Sequence, residues 1–359
     1  MMTTAPSFAI VGGGIIGFTV AREVCRAFPD SSVTLIDRDV PGSGASARSA
    51  GLHFPLGRYP RVREMSRYSE EFYQDLRAEF PAAPIHPLGL RVHSAKLDHA
   101  GLSSMFTSTV TPLAADAQPG SLASADADYR VWTVDDAQYA DVPALIAFYR
   151  EALGERLRTL FGLKIAKIEE TPEKATLSTH DGLSIDADHL ILCPGPWALS
   201  DVFRPYTRNL DIRIKRVVAF HIDAAGLREA SSVPAVDLFF DEDAFFMPWG
   251  KGDKRLFSFT RKKWDVTPED SYGAITAEDR AEALAVLARI APQLRDSVGG
   301  GQVFCDAYSA TGAPVVASVT SSGRIVFAGA ANGSGYRLAP AIARKTLKAI
   351  AKVPAREMV

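Results

Sequence analysis

The residues that point most directly to chemistry are three glycines and an aspartate near the start of the chain. Gly12, Gly14 and Gly17 follow an apolar run that predicts a β-strand, and Asp37 ends a second such run. In a strand–turn–helix–strand unit, such glycines let the backbone turn and approach a diphosphate, and the helix N-terminus favours its negative charge. The acidic residue can accept hydrogen bonds from ribose hydroxyl groups. The pattern predicts a dinucleotide-binding βαβ unit; the alternative is a glycine-rich turn in some other βαβ unit.

Two further segments rich in small residues accompany this unit. Residues 41–51 read PGSGASARSAG, which adds little to a hydrophobic core. This segment is either a flexible loop or backbone that lies against a large flat group. Near the C-terminus, a buried-type strand over 324–328 precedes a glycine-rich loop. We expect a helix to begin after that loop, near Pro340.

The composition is that of an ordinary globular protein, with 359 residues, 47% hydrophobic and 23% charged, and a net charge of −2. These values give no electrostatic reason to expect nucleic acid or a membrane as partner. Cys25, Cys193 and Cys305 lie far apart without metal-ligand spacing. We therefore expect no metal site and a reducing, cytoplasmic location.

The order of the segments predicts two domains. Helical spacing predicts helices over 61–80, 143–160 and 277–290, and strand-like patterns fill 164–187 and 212–264. The predicted fold class is α/β with an α+β cap: a discontinuous Rossmann-like domain with an inserted antiparallel β-sheet substrate domain. The nucleotide domain is assigned to 1–80, 144–204 and 303–359, and the cap to 81–143 and 205–302.

With these segments in order, the chain resembles the D-amino-acid oxidase superfamily of FAD enzymes, and within it the glycine oxidase and sarcosine oxidase branch. Four separated motifs carry the resemblance: IVGGGIIG with Asp37, then GASARSAG, LILCPGPWA (190–198) and VFAGAANGSGYRLAPAIA (326–343). The resemblance implies FAD as the cofactor of the discontinuous domain.

The resemblance also implies which residues bind FAD. The small-residue segment would pass beside the flavin ring, and the N-terminus of the C-terminal helix would face the pyrimidine end of the ring. The implied FAD-binding residues are Gly12, Gly14, Ile15, Ile16, Gly17, Asp37, Arg38, Ser43, Ala45, Ser46, Arg48, Ala50, Gly51, Ile165, Gly195, Trp197, Gly329, Asn332, Gly333, Ser334, Gly335 and Tyr336.

The implied reaction is the oxidation of a small amine or amino acid. A hydride would pass from the carbon bearing the amine to flavin N5, giving an imine, with oxygen as acceptor and hydrogen peroxide as product. One alternative is an FAD-dependent dehydrogenase of a 2-hydroxy acid or amino acid that uses another acceptor. A second is a dinucleotide-binding subunit without catalytic activity. The oligomeric state is left open.

Four residues are candidates for binding the substrate or for promoting the reaction with oxygen. Arg337 matches a cationic carboxylate ligand of the sarcosine branch, because a guanidinium can bind a carboxylate through two hydrogen bonds. Tyr308 stands where the glycine oxidase branch has an arginine, and it either faces the substrate or packs on the flavin edge. His53 is either a structural residue or a polar group near N5. Lys254, with Arg255 as the alternative, would place a positive charge near oxygen.

Two further features have open interpretations. Cys305 lies in the region where the sarcosine branch carries a cysteine bonded to the flavin, but its register differs by about one residue. Non-covalent FAD is therefore the prediction. The aromatic residues of 239–249 are favoured as sheet core; the alternative is that they wall the substrate pocket, and then Phe246 and Trp249 are the residues that would approach the substrate.

Overall fold

The computed structural model describes residues 5–113, 128–224, 234–250, 253–271 and 273–351. The helices are α1 (Ile15–Ala27), α2 (Pro60–Glu79), α3 (His99–Ser103), α4 (Val142–Leu153), α5 (Arg204–Thr207), α6 (Pro268–Ser271), α7 (Ala277–Ile290) and α8 (Gly335–Ile350). The strands are β1 (Ser7–Val11), β2 (Ser32–Ile36), β3 (Leu52–His53), β4 (Ile85–Pro87), β5 (Gly89–Ser94), β6 (Val110–Pro112), β7 (Arg130–Val134), β8 (Gln138–Ala140), β9 (Leu157–Leu160), β10 (Ile165–Glu170), β11 (Ala175–Thr179), β12 (Ser184–Ala187), β13 (His189–Leu192), β14 (Ile212–Asp223), β15 (Ala235–Phe239), β16 (Ala244–Pro248), β17 (Lys254–Phe259), β18 (Val298–Ser309), β19 (Val315–Ser318) and β20 (Ile325–Gly329).

The nucleotide-type segments form one sheet in the order β19-β20-β13-β1-β2-β9. Its strands are parallel, apart from the edge strand β19. Alternate side chains of a strand point to opposite faces, so Phe8 and Ile10 pack against α1, α2, α4 and α8. Ala9 and Val11 face the other way, toward the three-stranded sheet β10-β11-β12. The sheet is therefore covered on both faces, as the predicted Rossmann-like architecture requires.

The second large sheet has the order β18-β14-β17-β16-β15-β5-β7-β6. Its strand pairs are antiparallel except for β15 with β5, and β14 pairs with β18 along almost its whole length. One face packs Phe220, Phe239 and Phe257 against α7. The opposite face looks toward the carboxyl ends of the parallel strands. A small sheet, β3-β8-β4, lies beside them.

Two sequence predictions about elements need correction. The predicted helix over 143–160 ends at Leu153, and Leu157–Leu160 is instead the parallel edge strand β9 next to β2. The C-terminal helix begins at Gly335 rather than near Pro340, which lies inside it. The predicted domain boundary at residue 303 falls within β18, so the domain division stays a prediction.

The start of α8 depends on a side chain from another helix. A proline has no N–H to donate to the carbonyl four residues earlier, so Pro340 leaves the Tyr336 carbonyl without its helical donor. The Tyr73 hydroxyl of α2 donates to that carbonyl at 2.7 Å, and the two tyrosine rings stack 4.7 Å apart. This contact supports the first turn of α8, which carries Arg337.

No helix within the described residues is long and apolar enough to cross a membrane.

Candidate active site

A cavity of about 620 Å³ lies between the carboxyl ends of the parallel strands and the open face of the large sheet. In parallel α/β sheets this edge is where ligands bind. Every residue predicted to bind FAD lines the cavity: Gly12, Gly14, Ile15, Ile16, Gly17, Asp37, Arg38, Ser43, Ala45, Ser46, Arg48, Ala50, Gly51, Ile165, Gly195, Trp197, Gly329, Asn332, Gly333, Ser334, Gly335 and Tyr336. Segments far apart in sequence thus share one site.

The glycine loop is built so closely that two of its positions admit no side chain. Gly12 has φ +107°, and a Cβ there would lie 2.1 Å from the Cys193 carbonyl oxygen. A Cβ on Gly17 would lie 1.9 Å from the Gly12 carbonyl oxygen. A Cβ on Gly14 would meet only the Ser46 hydroxyl, at 3.2 Å, so this position borders the cavity. The first two glycines serve the fold, and Gly14 leaves room for a ligand.

Asp37 closes the loop from the end of β2. Its Oδ2 accepts a hydrogen bond from the Gly13 N–H at 2.5 Å, and its Oδ1 accepts one from the Asp39 N–H at 2.8 Å. Burial raises the pKa of this carboxyl group, and the two backbone donors oppose that effect. The glycine cradle, the N-terminus of α1 and this acidic residue fit a dinucleotide diphosphate and its ribose. The site therefore fits FAD.

Three side chains meet at the nucleotide end of the cavity. The Arg38 guanidinium lies over the Trp197 ring, 4.8 Å from its centroid. The Trp197 indole N–H donates to Glu269 of α6 at 2.9 Å, and Arg38 lies 3.4 Å from the same carboxylate oxygen. All three line the cavity. They connect the nucleotide sheet to a segment that follows β17.

The small-residue segment is held in a fixed loop. Arg48 donates to the Ser43 carbonyl at 2.6 Å and to the Gly44 carbonyl at 3.2 Å. Its own carbonyl accepts a hydrogen bond from the Gln302 side chain of β18 at 3.0 Å. The segment is therefore ordered backbone along the cavity, which agrees with its interpretation as a wall beside a flat group.

Arg337 lies in the first turn of α8 and faces the cavity. Its guanidinium donates to the Leu56 carbonyl at 3.1 Å and to the Ser334 hydroxyl at 2.7 Å, both of them neutral acceptors. None of the carboxylates that the structure describes forms an ion pair with it. Burial lowers its pKa to about 10, against the opposing effect of Asp243, so it stays charged at neutral pH. A charged donor group thus faces the cavity without an ion pair to a described carboxylate.

A second group of polar residues faces the cavity from β14 and β18. Lys215 stands opposite Asp306 in the register of these strands. Its Nζ lies 4.9 Å from the Tyr308 ring centroid and 5.1 Å from that of Trp264. Burial raises the pKa of the Asp306 carboxyl group to about 6, although the backbone N–H groups of Ala307 and Gly333 donate to it.

Burial shifts the pKa values of Tyr308 and Lys215. Burial raises the pKa of the Tyr308 hydroxyl, so it remains a protonated donor at neutral pH. Burial lowers the pKa of Lys215, and the nearby carboxylates Asp243 and Asp306 oppose that shift.

Three of the residues proposed to act on the substrate or on oxygen do not line the cavity. Lys254 is exposed and lies opposite Asp223, at the far end of β17 from the cavity-lining Ser258. Its alternative Arg255 is buried but does not line the cavity either. His53 is fully buried beside Tyr73, and burial together with the Arg337 charge lowers its pKa to about 3. The imidazole is therefore neutral and does not border the substrate space.

Phe246 belongs to the sheet core, and the alternative that it approaches the substrate is wrong by one register position. Phe246 is fully buried against α7 on the opposite face of the sheet, and its neighbour Phe245 lines the cavity. Adjacent strand residues face opposite sides, so a shift of one residue exchanges the two faces. Trp249 stacks on His221, with ring centroids 5.4 Å apart, and also lies outside the cavity lining.

The sequence interpretation missed Lys215, Asp243 and Arg58 and did not single out Phe240 within the aromatic set; all four line the cavity. An alternating pattern in β14 is the available signal for Lys215, since Lys215, Val217 and Ala219 share the cavity face. Asp243 and Arg58 lie on loops, where no periodicity identifies them.

Cys305 leads to the first prediction. It is fully buried in the core between β18 and the nucleotide sheet, whereas Phe304 and Asp306 on either side line the cavity. A thiol on the far side of the strand cannot reach a ring in the cavity. We expect FAD to be released completely when the protein is denatured in acid. Flavin fluorescence that stays with the denatured chain, and disappears in Cys305→Ala, would contradict this geometry.

Comparison with known proteins identifies the family. The model of the FAD dependent oxidoreductase family DAO matches residues 7–348. A comparison with curated proteins finds no match. Among solved structures, the chain is similar to glycine oxidase from Bacillus cereus, with 14% identity, a TM-score of 0.75 and coverage of 99% of this chain and 100% of that one.

Two other solved structures show the same fold. L-proline dehydrogenase from P. horikoshii has 14% identity and a TM-score of 0.81 over 98% of this chain and 96% of that one. Iminodiacetate oxidase from Chelativorans sp. BNC1 has 18% identity and a TM-score of 0.75 over 98% and 97%. At these identities the similarity concerns the fold, while the family model covers nearly the whole sequence. The chain belongs to the DAO family of FAD-dependent oxidoreductases.

Proposed function

We propose that this protein is an FAD-dependent oxidase of a small amino acid or related amine that carries a carboxylate. The observation that carries the proposal is Arg337: a charged guanidinium that faces the cavity and whose hydrogen-bond acceptors among the described residues are neutral. A substrate carboxylate would supply the missing anion, and charge-assisted hydrogen bonds of this kind are among the stronger ones in proteins.

Bound FAD would accept the hydride from the substrate carbon next to the amine. The chain's own residues position the substrate and exclude water. Arg337 holds the carboxylate, and the Tyr308 hydroxyl stays protonated as a hydrogen-bond donor in the same cavity. Phe240, Phe245 and Leu256 form an apolar wall on the large sheet. Fixing the reacting carbon in this way supplies most of the rate enhancement expected of the protein.

Oxygen is the electron acceptor we propose. Glycine oxidase and iminodiacetate oxidase are oxidases by name, which supports oxygen, whereas the similar L-proline dehydrogenase supports the alternative of another acceptor. Lys254, the cation assigned to oxygen from the sequence, lies outside the cavity. Lys215 is the buried lysine that does line it, so we assign the positive charge near oxygen to Lys215.

The Lys215 assignment predicts an effect that depends on the acceptor. Lys215→Met should slow turnover with oxygen by roughly tenfold or more, since a fixed positive charge stabilises the anion formed when oxygen is reduced. Turnover with an artificial dye acceptor should be largely retained. Lys254→Met is the matched control and should change neither rate. Equal losses with oxygen and dye would move Lys215 from the oxygen step to substrate binding or folding.

The substrate class is tested directly by measuring hydrogen peroxide release with a panel of D- and L-amino acids, N-methyl amino acids, cyclic imino acids and 2-hydroxy acids. Peroxide formation with an amino or imino acid supports the proposal. Oxidation that proceeds only with a dye, or only with 2-hydroxy acids, supports the dehydrogenase alternative.

A cytoplasmic location and an amino acid or amine as the partner molecule remain predictions.

A further inference from the structure

The mouth of the cavity carries an ion pair between two different segments of the chain. Arg58, in the loop that follows β3, lies 3.9 Å from Asp243, in the turn between β15 and β16. Both side chains are more than half exposed, at 52% and 64%, and both line the cavity. The pair therefore lies at a solvent-exposed rim of the cavity.

Each member of the pair is held in place by a separate contact. The Arg58 guanidinium lies over the Phe240 ring, 4.4 Å from its centroid. The Asp243 carboxylate accepts a hydrogen bond from the Thr260 hydroxyl, and the Asp243 carbonyl accepts one from the Thr260 N–H at 3.1 Å. Asp243 has φ +50°, a conformation that Asp and Asn tolerate better than most residues. Its position is thus set by the hairpin turn.

Asp243 also acts on the inner cavity. Among the carboxylates that the structure describes, it is the one whose charge raises the pKa of Arg337, and it raises those of Lys215 and Tyr308 as well. Asp306, the other carboxylate facing this part of the cavity, already accepts hydrogen bonds from two backbone N–H groups. Asp243 is therefore the cavity-lining carboxylate whose charge acts on the group that we assign to the substrate carboxylate.

We infer that Arg58 and Asp243 select zwitterions: Asp243 attracts the ammonium group of an amino acid whose carboxylate is bound by Arg337, and Arg58 neutralises Asp243 until that ligand arrives. This inference rests on the proposed function, in that it assigns the carboxylate to Arg337. Arg337 and Asp243 line the same cavity, and an α-amino acid carries both an anionic and a cationic group for them. A 2-hydroxy acid or a plain carboxylate satisfies only Arg337.

Two probes of the same shape test the inference on the FAD-loaded protein without turnover. Glycine betaine and 3,3-dimethylbutanoate both carry a carboxylate and a group of three methyls, and only betaine has a positive charge. Binding of each is measured from the change in visible flavin absorbance. Because Asp243 is well exposed, we expect betaine to bind only about three- to tenfold more tightly than its neutral counterpart.

Three variants test whether the affinity ratio of the two probes depends on Asp243. In Asp243→Asn the affinity ratio should fall to about one, and in Arg58→Gln it should rise, because Asp243 loses its competing partner. Asp181→Asn removes an exposed carboxylate in the turn between β11 and β12, outside the cavity, and should leave the ratio unchanged. A ratio that stays the same in Asp243→Asn, or is already one in the native protein, would overturn the inference.

A kinetic measurement covers the case in which the three methyl groups do not fit. With an amino acid that the enzyme oxidises, Asp243→Asn should raise KM about three- to tenfold and leave kcat nearly unchanged. An unchanged KM overturns the inference and leaves the proposed function intact. If no amino acid is oxidised, the proposed function fails, and a charge preference lost in Asp243→Asn would still show zwitterion binding.

Discussion

Replacing Arg337 by alanine should lower kcat/KM for the amino acid substrate by about 10- to 100-fold, mainly through KM. Hydrogen bonds to charged groups are typically worth about 1.5–3 kcal/mol, which corresponds to this range of affinity. In the described part of the chain, the Arg337 guanidinium donates to the neutral Leu56 carbonyl and Ser334 hydroxyl, so its other N–H groups can bind a carboxylate. Steady-state kinetics over a range of substrate concentrations measure the effect.

The conservative variant separates binding from folding. Arg337→Lys keeps the charge but loses the planar pair of donors, so we expect a smaller rise in KM than in Arg337→Ala. Both variants should retain FAD, because they leave unchanged the glycine-rich loop before Arg337 and the cradle around Gly14. An unchanged KM in Arg337→Ala would show that the substrate lacks a carboxylate or binds it elsewhere.

The second large effect concerns the cofactor. Gly14→Val should give a folded, colourless protein, because the new side chain would occupy the space next to the diphosphate. Around Gly14 a Cβ meets only the Ser46 hydroxyl, whereas a Cβ at Gly12 would collide with the Cys193 carbonyl oxygen at 2.1 Å. Gly12→Ala should therefore damage the fold, and Gly14→Val should damage only FAD binding.

The ratio of visible flavin absorbance to protein absorbance measures FAD content, and circular dichroism monitors the fold. Gly300→Val is a matched control, because Gly300 lies in β18 with open space around it and outside the cavity lining. It should keep one FAD per chain. Native protein that is colourless, or Gly14→Val protein that is as yellow as the native form, would contradict the assigned cradle.

The cofactor side of the site could be predicted from the sequence because its determinants are local. Gly12, Gly14 and Gly17 follow one strand and begin one helix, and Asp37 ends the next strand, so spacing alone places them at one edge of the sheet. Each such residue sits at a strand end or a helix start that hydrophobic periodicity can locate.

The substrate side depends on register and on distant partners, which a single sequence does not encode locally. Phe245 and Phe246 both suit a strand, and only the pairing of β15, β16 and β17 decides which one faces the cavity. Lys254 and Lys215 both lie in strands of the large sheet, but Lys254 is exposed at the end of β17, whereas Lys215 is buried and lines the cavity. The sequence predicts a start of α8 near Pro340, which is too late, because the Tyr73 hydroxyl of another helix supplies the hydrogen bond that Pro340 cannot donate.

The most direct test of the account is an anaerobic titration of the yellow protein with the panel of amino, imino and 2-hydroxy acids, followed by the loss of flavin absorbance. The account predicts bleaching by at least one amino or imino acid that carries a carboxylate, at concentrations about 10- to 100-fold higher in Arg337→Ala. Bleaching by 2-hydroxy acids alone, or an Arg337→Ala protein bleached at the same concentrations as the native one, would contradict it.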